Sequence, residues 1–293
     1  MTAPADPTPV LPQQPARLGV MWRRFRRNRA AMLGLFLFVL VVLAALLAGV
    51  LTPGDPLRRV GDPLIDPFVN AATPLGTDQL GRDILAGILH GARISLLIGV
   101  VATLISISIG IVIGALSGYF GGLVDDVLMR VTEAFQTIPS FVLLLALVAI
   151  FGSSLQTIVL AIGIVSWTAP ARMVRAEFMA LRKREFVDAA RNLGVGDVAL
   201  IFREILPNAL PPVIVFASVV MATSILMESA LAFLALGDPN HASWGNMIGQ
   251  GRAVLRTDWH CTVLPGLAIL LTVLSFSLLG EGLNEVLNPR QKK

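Results

Sequence analysis

Along most of this chain the apolar residues neither alternate with polar ones nor recur once per helical turn; they run on unbroken. Stretches 31–51, 94–117, 127–151, 155–173, 210–236 and 263–279 are almost continuously hydrophobic. Each reaches the minimum of about 17 residues that an α-helix needs to cross roughly 30 Å of hydrocarbon. A membrane β-barrel requires period-two alternation, which these runs lack, and lipid admits only helices and closed barrels. The pattern predicts an all-α polytopic membrane protein with about six transmembrane helices.

Polar stretches between the runs carry local signals. In 52–92, a Pro- and Asp-rich start gives way to GTDQLGRDILAGILHGARISL. Asp83 is placed to cap a helix on which Ile84, Leu85, Ile88 and Leu89 share one face, predicting an interfacial helix ahead of the second span. Between the fourth and fifth runs lies EFVDAARNLGVGDVALIFREILPN. Good helix formers fill 178–193, Gly194 suits a left-handed C-terminal position, Asp197 can cap a second helix through Ile205, and Pro207 is expected to stop it. Periodicity alone leaves two forms open: a compact helix-turn-helix knob, or an amphipathic linker lying on the membrane. In the second span Ser106, Gly110, Gly114 and Gly118 recur every four residues, a ridge that lets another helix approach closely.

Composition agrees with the periodicity. Hydrophobic residues make up 55% of the 293 and charged residues 14%, outside the soluble norm. Arginines cluster before the first run (Arg17, Arg23, Arg24, Arg26, Arg27, Arg29) and again at Arg172, Arg175, Arg182, Arg184, Arg191 and Arg203 with Lys183. By the positive-inside rule these segments, Arg130 and the tail residues Arg290, Lys292 and Lys293 are cytoplasmic. The expected organisation is a basic cytoplasmic tail (1–30), a first transmembrane helix (31–51), an extracytoplasmic loop (52–92), a helical membrane core (93–289) containing a cytoplasmic loop (174–209), and a short tail (290–293). Both termini face the cytoplasm. Topology accounts for the basic balance, so no nucleic-acid partner is expected. The first apolar run is too long for the core of a cleaved signal peptide, and Cys261 has no partner for an internal disulfide.

Enzymatic signatures are missing. A P-loop needs Gly-Lys-Ser/Thr, and Lys183, Lys292 and Lys293 are not so placed; there is no Gly-x-Ser-x-Gly and no His-Glu-x-x-His. His90, His241 and His260 are scattered without ligand spacing, so no metal and no cofactor is expected in this chain. His90 is read as facing solvent or capping carbonyls. Asp125 and Asp126, beside Arg130, read as a solvated helix start. Glu228 is the carboxylate set deepest in a span, where a charge is costly unless paired or wet. Two roles stay open for it: bracing against Ser229 or nearby helix ends, or lining a pathway.

Asp188-Ala189-Ala190, Gly194 and Ile205-Leu206-Pro207 resemble the Glu-Ala-Ala loop of bacterial ABC importer permeases. Asp188 stands where that family usually has Glu, and the Ile falls one place late, with Glu204 in its expected position. GTDQLGRDILAGILHGARISL, TIPSFVLLLAL, ESALAFLALG, SWGNMIGQGR and PGLAILLTVLSFSLLGEGLNEVLNPR are similar to segments of the C-type permease of dipeptide, oligopeptide and nickel importers. The resemblance implies a type I importer permease fold in the bacterial cytoplasmic membrane. It further implies a homologous B-type permease as heterodimer partner, two ABC ATPase subunits carrying ATP and Mg, an extracytoplasmic substrate-binding protein, and a peptide substrate. Glu185, Asp188, Ala189, Ala190, Gly194, Asp197, Leu206 and Pro207 would form the ATPase-coupling joint. Asp78, Arg82 and Asp83 are candidates either to contact the binding protein or to brace their loop. The rival classes are an ATP-independent carrier or channel and a structural membrane scaffold; nickel and glutathione are alternative substrates.

Overall fold

In a computed structural model, residues 18–287 are described. Twelve α-helices follow in order: α1 (Leu18–Arg27), α2 (Arg29–Leu51), α3 (Ile84–Phe120), α4 (Gly122–Thr137), α5 (Ser140–Phe151), α6 (Leu155–Val165), α7 (Thr168–Leu181), α8 (Glu185–Asn192), α9 (Asp197–Ala199), α10 (Leu206–Phe233), α11 (Trp244–Gly251) and α12 (His260–Leu287). Residues 1–17 and 288–293, which hold most of the expected tails, lie outside this range. The described residues contain isolated β-bridges in the 52–83 loop and no named strand.

Five helical segments are long and apolar enough to span a bilayer, and α4 with α5 brings the number to 6 if that bent pair counts as one. The expected six runs therefore appear, with three corrections. The third is not continuous: α4 and α5 meet at 80°. Proline at 139 pushes the residue before it out of the helical region, and Ile138 sits at φ −91°, ψ 125°. The interfacial helix expected after Asp83 is not separate from the second span; α3 is one helix of 37 residues, about 55 Å long at 1.5 Å per residue. Asp83 does cap it, accepting from the Leu85 amide at 3.0 Å.

The third correction concerns Pro207, which does not stop the second helix of the 174–209 loop. The chain stays helical from Asp197 to Phe233. A π-helical turn, Leu200–Ile205, precedes the proline, and the Leu206 amide bonds to the Ile201 carbonyl five residues back. The extra residue in that turn relieves the clash between a proline ring and the carbonyl one turn earlier, so the helix bends its ladder rather than ending.

Helix α3 is the centre of the bundle, packed against α2, α6, α7 and α10. The small-residue ridge explains its tightest contact. A Cβ on Gly114 would lie 2.4 Å from the Ala171 carbonyl oxygen, and one on Gly118 would lie 2.6 Å from that of Arg175. Only hydrogen at these positions lets α3 and α7 touch backbone to backbone. One apolar cluster joins α3, α5 and α6 around Ile98, Leu144 and Ile162; another joins α2, α3, α10, α11 and α12 around Ile225, Trp244 and Phe276. Arg93, part-way along α3, donates to the carbonyls of Ala45 at 2.5 Å and Leu46 at 3.1 Å. His90 meets the Thr52 carbonyl at 3.0 Å, bonding the residue that ends α2.

Candidate functional site

At one end of the bundle, residues 182–205 form a knob. Helix α8 starts after Arg184, which is extended, and closes in a two-bond C-terminal motif: the Val195 amide reaches the Ala190 carbonyl at 3.1 Å and the Gly194 amide reaches that of Arg191 at 3.0 Å. Gly194 sits at φ +82°, the left-handed conformation this closure needs and L side chains resist. Val187 is fully buried against Tyr119, Val174, Phe178, Leu200, Ile201 and Ile205. The knob is thus a packed helix-turn-helix rather than a linker lying on a surface.

Its charged groups divide into two sets. Asp188 and Glu185 point outward; Asp188 holds only a loose pair with Arg191 at 3.5 Å, both side chains more than half exposed. Asp197, though exposed as well, is tied to the bundle instead. It is the first residue of α9, after Gly196 as cap, so it does not cap that helix through its side chain as expected; its carboxylate accepts from the Tyr119 hydroxyl at 2.5 Å. Arg182 donates to the Tyr119 carbonyl at 2.8 Å. Ala189 and Ala190 lie within α8, while Leu206 and Pro207 open α10. The knob leaves Phe186, Leu193, Val198 and Phe202 exposed, Leu193 at 86%.

A second brace ties the root of the knob to α4. Arg175 donates from both Nε and Nη2 to Asp125, each at 2.5 Å, and Ser117 also donates to that carboxylate. Asp125 is therefore not the solvated helix start expected from its sequence neighbours; its side chain is 14% exposed. A bidentate guanidinium-carboxylate pair is geometrically specific, and it links α3, α4 and α7 at one point.

At the opposite end, the 52–83 loop and residues 234–259 cover the helices. Glu228 is buried in α10, and Ser243, the N-cap of α11, donates to it at 2.6 Å. A Cβ on Gly245 would come within 2.9 Å of its carboxylate, so the group rests against the first turn of α11, whose partial positive charge suits it. Ser229 bonds back to the Ile225 carbonyl at 2.9 Å. Between the two roles left open by sequence, this geometry favours bracing a helix end.

Asp78 accepts from the amides of Leu80 and Arg82, both at 2.8 Å, and Asp83 caps α3. Both carboxylates brace their own loop. Arg82 and Asp83 line a small cleft shared with His241 and Asn246.

Asp238 was not singled out by the sequence, yet it organises this end. It accepts from the Leu155 amide at 2.9 Å, capping α6 from a distant segment, and from Asn240 and His241. Burial pushes its carboxyl up, but the amides of Asn240 and Leu155 and the His241 ring outweigh burial and hold it below the usual value. The local signal was the Asp-Pro-Asn turn chemistry; its reach to Leu155 had none.

Residues 110–293 match the binding-protein-dependent transport system inner membrane component family, and residues 17–68 match the N-terminal TM domain of oligopeptide transport permease C. The chain is 40% identical to the di/tripeptide transport system permease protein DppC of Pseudomonas aeruginosa over 297 residues, covering 99% of this chain and 97% of that protein. It is 38% identical to the glutathione transport system permease protein GsiD of Pectobacterium atrosepticum, covering 92% and 90%. In fold it is similar to the inward-facing MetNI methionine ABC transporter, with TM-score 0.54 and 20% identity over 68% of this chain and 96% of that one. An amino acid ABC transporter crystallised with histidines gives TM-score 0.51 at 18% identity, over 67% and 91%. The ATP-independent carrier and the scaffold fall away at this point. The chain belongs to the binding-protein-dependent transport system inner membrane component family, as a multi-pass, non-catalytic permease subunit of an ABC importer that works with ATPase subunits and a substrate-binding protein.

Proposed function

We propose that this permease forms half of the translocation pathway of a di- and oligopeptide importer in the bacterial cytoplasmic membrane, paired with a homologous B-type permease. The knob docks on one of two ATPase subunits, which carry the ATP and Mg, and the binding protein delivers substrate at the opposite end. The arginine distribution supports a cytoplasmic knob and cytoplasmic termini. A peptide substrate is supported by the relatives named for di/tripeptide transport and for glutathione, itself a small peptide.

The observation that carries the coupling assignment is the knob itself. Its outer surface presents Asp188, Glu185 and the exposed Leu193 and Phe186, while Val187 and Asp197 anchor its inner surface to α3, α7 and α10. Such a part transmits force without chemistry: ATPase closure, acting on residues 185–197, moves α7 and the α9–α10 helix as a body. The ATPase dimer shifts the permease between inward- and outward-facing states only through its differential affinity for them. Asp188, Ala189, Ala190 and Gly194 shape the docking helix; Leu206 and Pro207 join it to α10.

The direct test is uptake of a labelled dipeptide into proteoliposomes holding the assembled complex and a loaded binding protein. ATP-dependent accumulation, competed by di- and tripeptides, supports the assignment. Accumulation competed only by nickel chelates would replace the substrate; accumulation without ATP would overturn the coupling.

A further inference from the structure

Far from the knob, three side chains of metal-ligand type converge. Asp66 comes from the 52–83 loop, Asp258 from the turn before α12, and His260 is the first residue of α12; one ligand atom from each lies within 4.8 Å of the others. Nothing in the sequence points to a metal here, because Asp66 is remote and Asp-x-His alone is a weak signal.

His260 supplies the independent observation. It is fully buried, and neither Nδ1 nor Nε2 has a hydrogen-bond partner among the described residues. An imidazole carries a donor and an acceptor, or two donors when protonated, and burying both without partners is unfavourable. Two carboxylates stand close by, yet no hydrogen bond joins them to the ring. Around an ion bound at about 2.0–2.2 Å by nitrogen and oxygen, neighbouring ligand atoms sit roughly 3–4 Å apart, so groups already within 4.8 Å of one another have only a short way to close.

The surroundings hold the three in place. Gly76, at φ +82°, faces the ring: a Cβ there would lie 3.2 Å from His260 Nε2 and 2.2 Å from the Ile65 carbonyl, so glycine leaves the space the imidazole uses. The Thr257 hydroxyl donates to Asp258 Oδ2 at 2.7 Å, orienting that carboxylate. Cys261 Sγ donates to the Thr77 carbonyl at 3.7 Å, fastening the same loop to the same helix.

We propose that Asp66, Asp258 and His260 bind a divalent transition-metal ion of zinc's chemistry, which staples the 52–83 loop to the first turn of α12. An imidazole with two carboxylates suits zinc, whereas calcium seeks six or more oxygens. The remaining coordination position is open to water. The staple fixes a segment on the face opposite the knob, independently of which substrate is carried.

The test uses the assembled complex, freed of affinity tags and stripped with chelator, titrated with Zn2+ and, as a spectroscopic probe, Co2+. Because the other subunits can hold metal, the readout is the difference between the native complex and complexes carrying Asp66→Asn or Asp258→Asn; Asp66 is exposed, so its replacement spares the fold. The expected result is one additional Zn2+ per permease in the native complex, a cobalt absorption band lost in both variants, and a Zn2+-dependent rise in unfolding temperature that neither variant shows. Calcium should reproduce none of these. Equal zinc stoichiometry and equal cobalt spectra in native and variant complexes would overturn the proposal.

Discussion

Tyr119, at the end of α3, donates its hydroxyl to Asp197 at 2.5 Å, where the chain leaves the knob and enters the long helix ending at Phe233. This bond joins the central helix of the bundle to the exit of the knob. A hydrogen bond to a charged group contributes about 1.5–3 kcal/mol. Tyr119→Phe keeps the ring among Val174, Phe178 and Leu200 and removes the hydroxyl that makes that bond. Peptide uptake is expected to fall several-fold with membrane insertion unchanged, measured as transport per inserted complex; unaltered uptake would show that the knob's exit is not held through Tyr119.

Gly194 closes α8 at φ +82°, with no atom near enough to obstruct a side chain. The cost of replacement is therefore conformational and not steric, about 1–2 kcal/mol for an L-residue in this region. Gly194→Val should loosen the knob and abolish stimulated uptake, with hydrogen exchange rising in 185–197 alone. Gly114→Val should behave differently, separating α3 from α7 and lowering the yield of folded complex.

The Asp125–Arg175 pair predicts an asymmetry. Removing one partner of a buried pair costs about 3–5 kcal/mol, and because Arg175 is 32% exposed the loss should lie toward or below the lower end of that range. Asp125→Ala is expected to destabilise the complex more than Asp126→Ala, read as the shift in unfolding temperature. Arg175→Lys should recover little, since an ammonium cannot reproduce the two-pronged contact.

The pH dependence turns on Asp238. Its folded carboxyl is held below the usual value despite burial, by the Asn240 and Leu155 amides and the His241 ring. A depressed value means that the stabilisation is fully present above the unfolded carboxylate value, about 3.9, and is lost as pH falls through the lower folded value. Asp238→Asn should therefore be less stable than the native chain at neutral pH, and the two should converge in strong acid. A gap between them that stays constant from neutrality into acid would contradict this.

What the sequence made legible was local or periodic. Continuous apolar runs located the spans, the four-residue spacing of Gly110, Gly114 and Gly118 marked the α3–α7 contact, and Gly194 marked the turn of the knob. Asp83 showed as a cap because its partner lies two residues away. Contacts between distant segments left no such trace: Asp238 with Leu155, Arg175 with Asp125, and Tyr119 with Asp197 join positions that only the folded bundle brings together. Proline misled in both directions. Pro139 broke a stretch long enough to read as one span, whereas Pro207 was absorbed by a π turn that hydropathy cannot reveal.

For a knob that transmits ATPase closure to the pathway, as proposed, an exposed carboxylate on its docking helix is the most direct handle. Asp188 is more than half exposed and only loosely paired with Arg191, so reversing its charge leaves the fold intact while changing what the ATPase meets. The measurement is ATP hydrolysis by the assembled complex in lipid nanodiscs, with and without peptide-loaded binding protein, for the native chain and for Asp188→Lys. Hydrolysis in the native complex should be stimulated by the loaded binding protein, and the variant should lose that stimulation while the complex still assembles. Full stimulation in Asp188→Lys would contradict it.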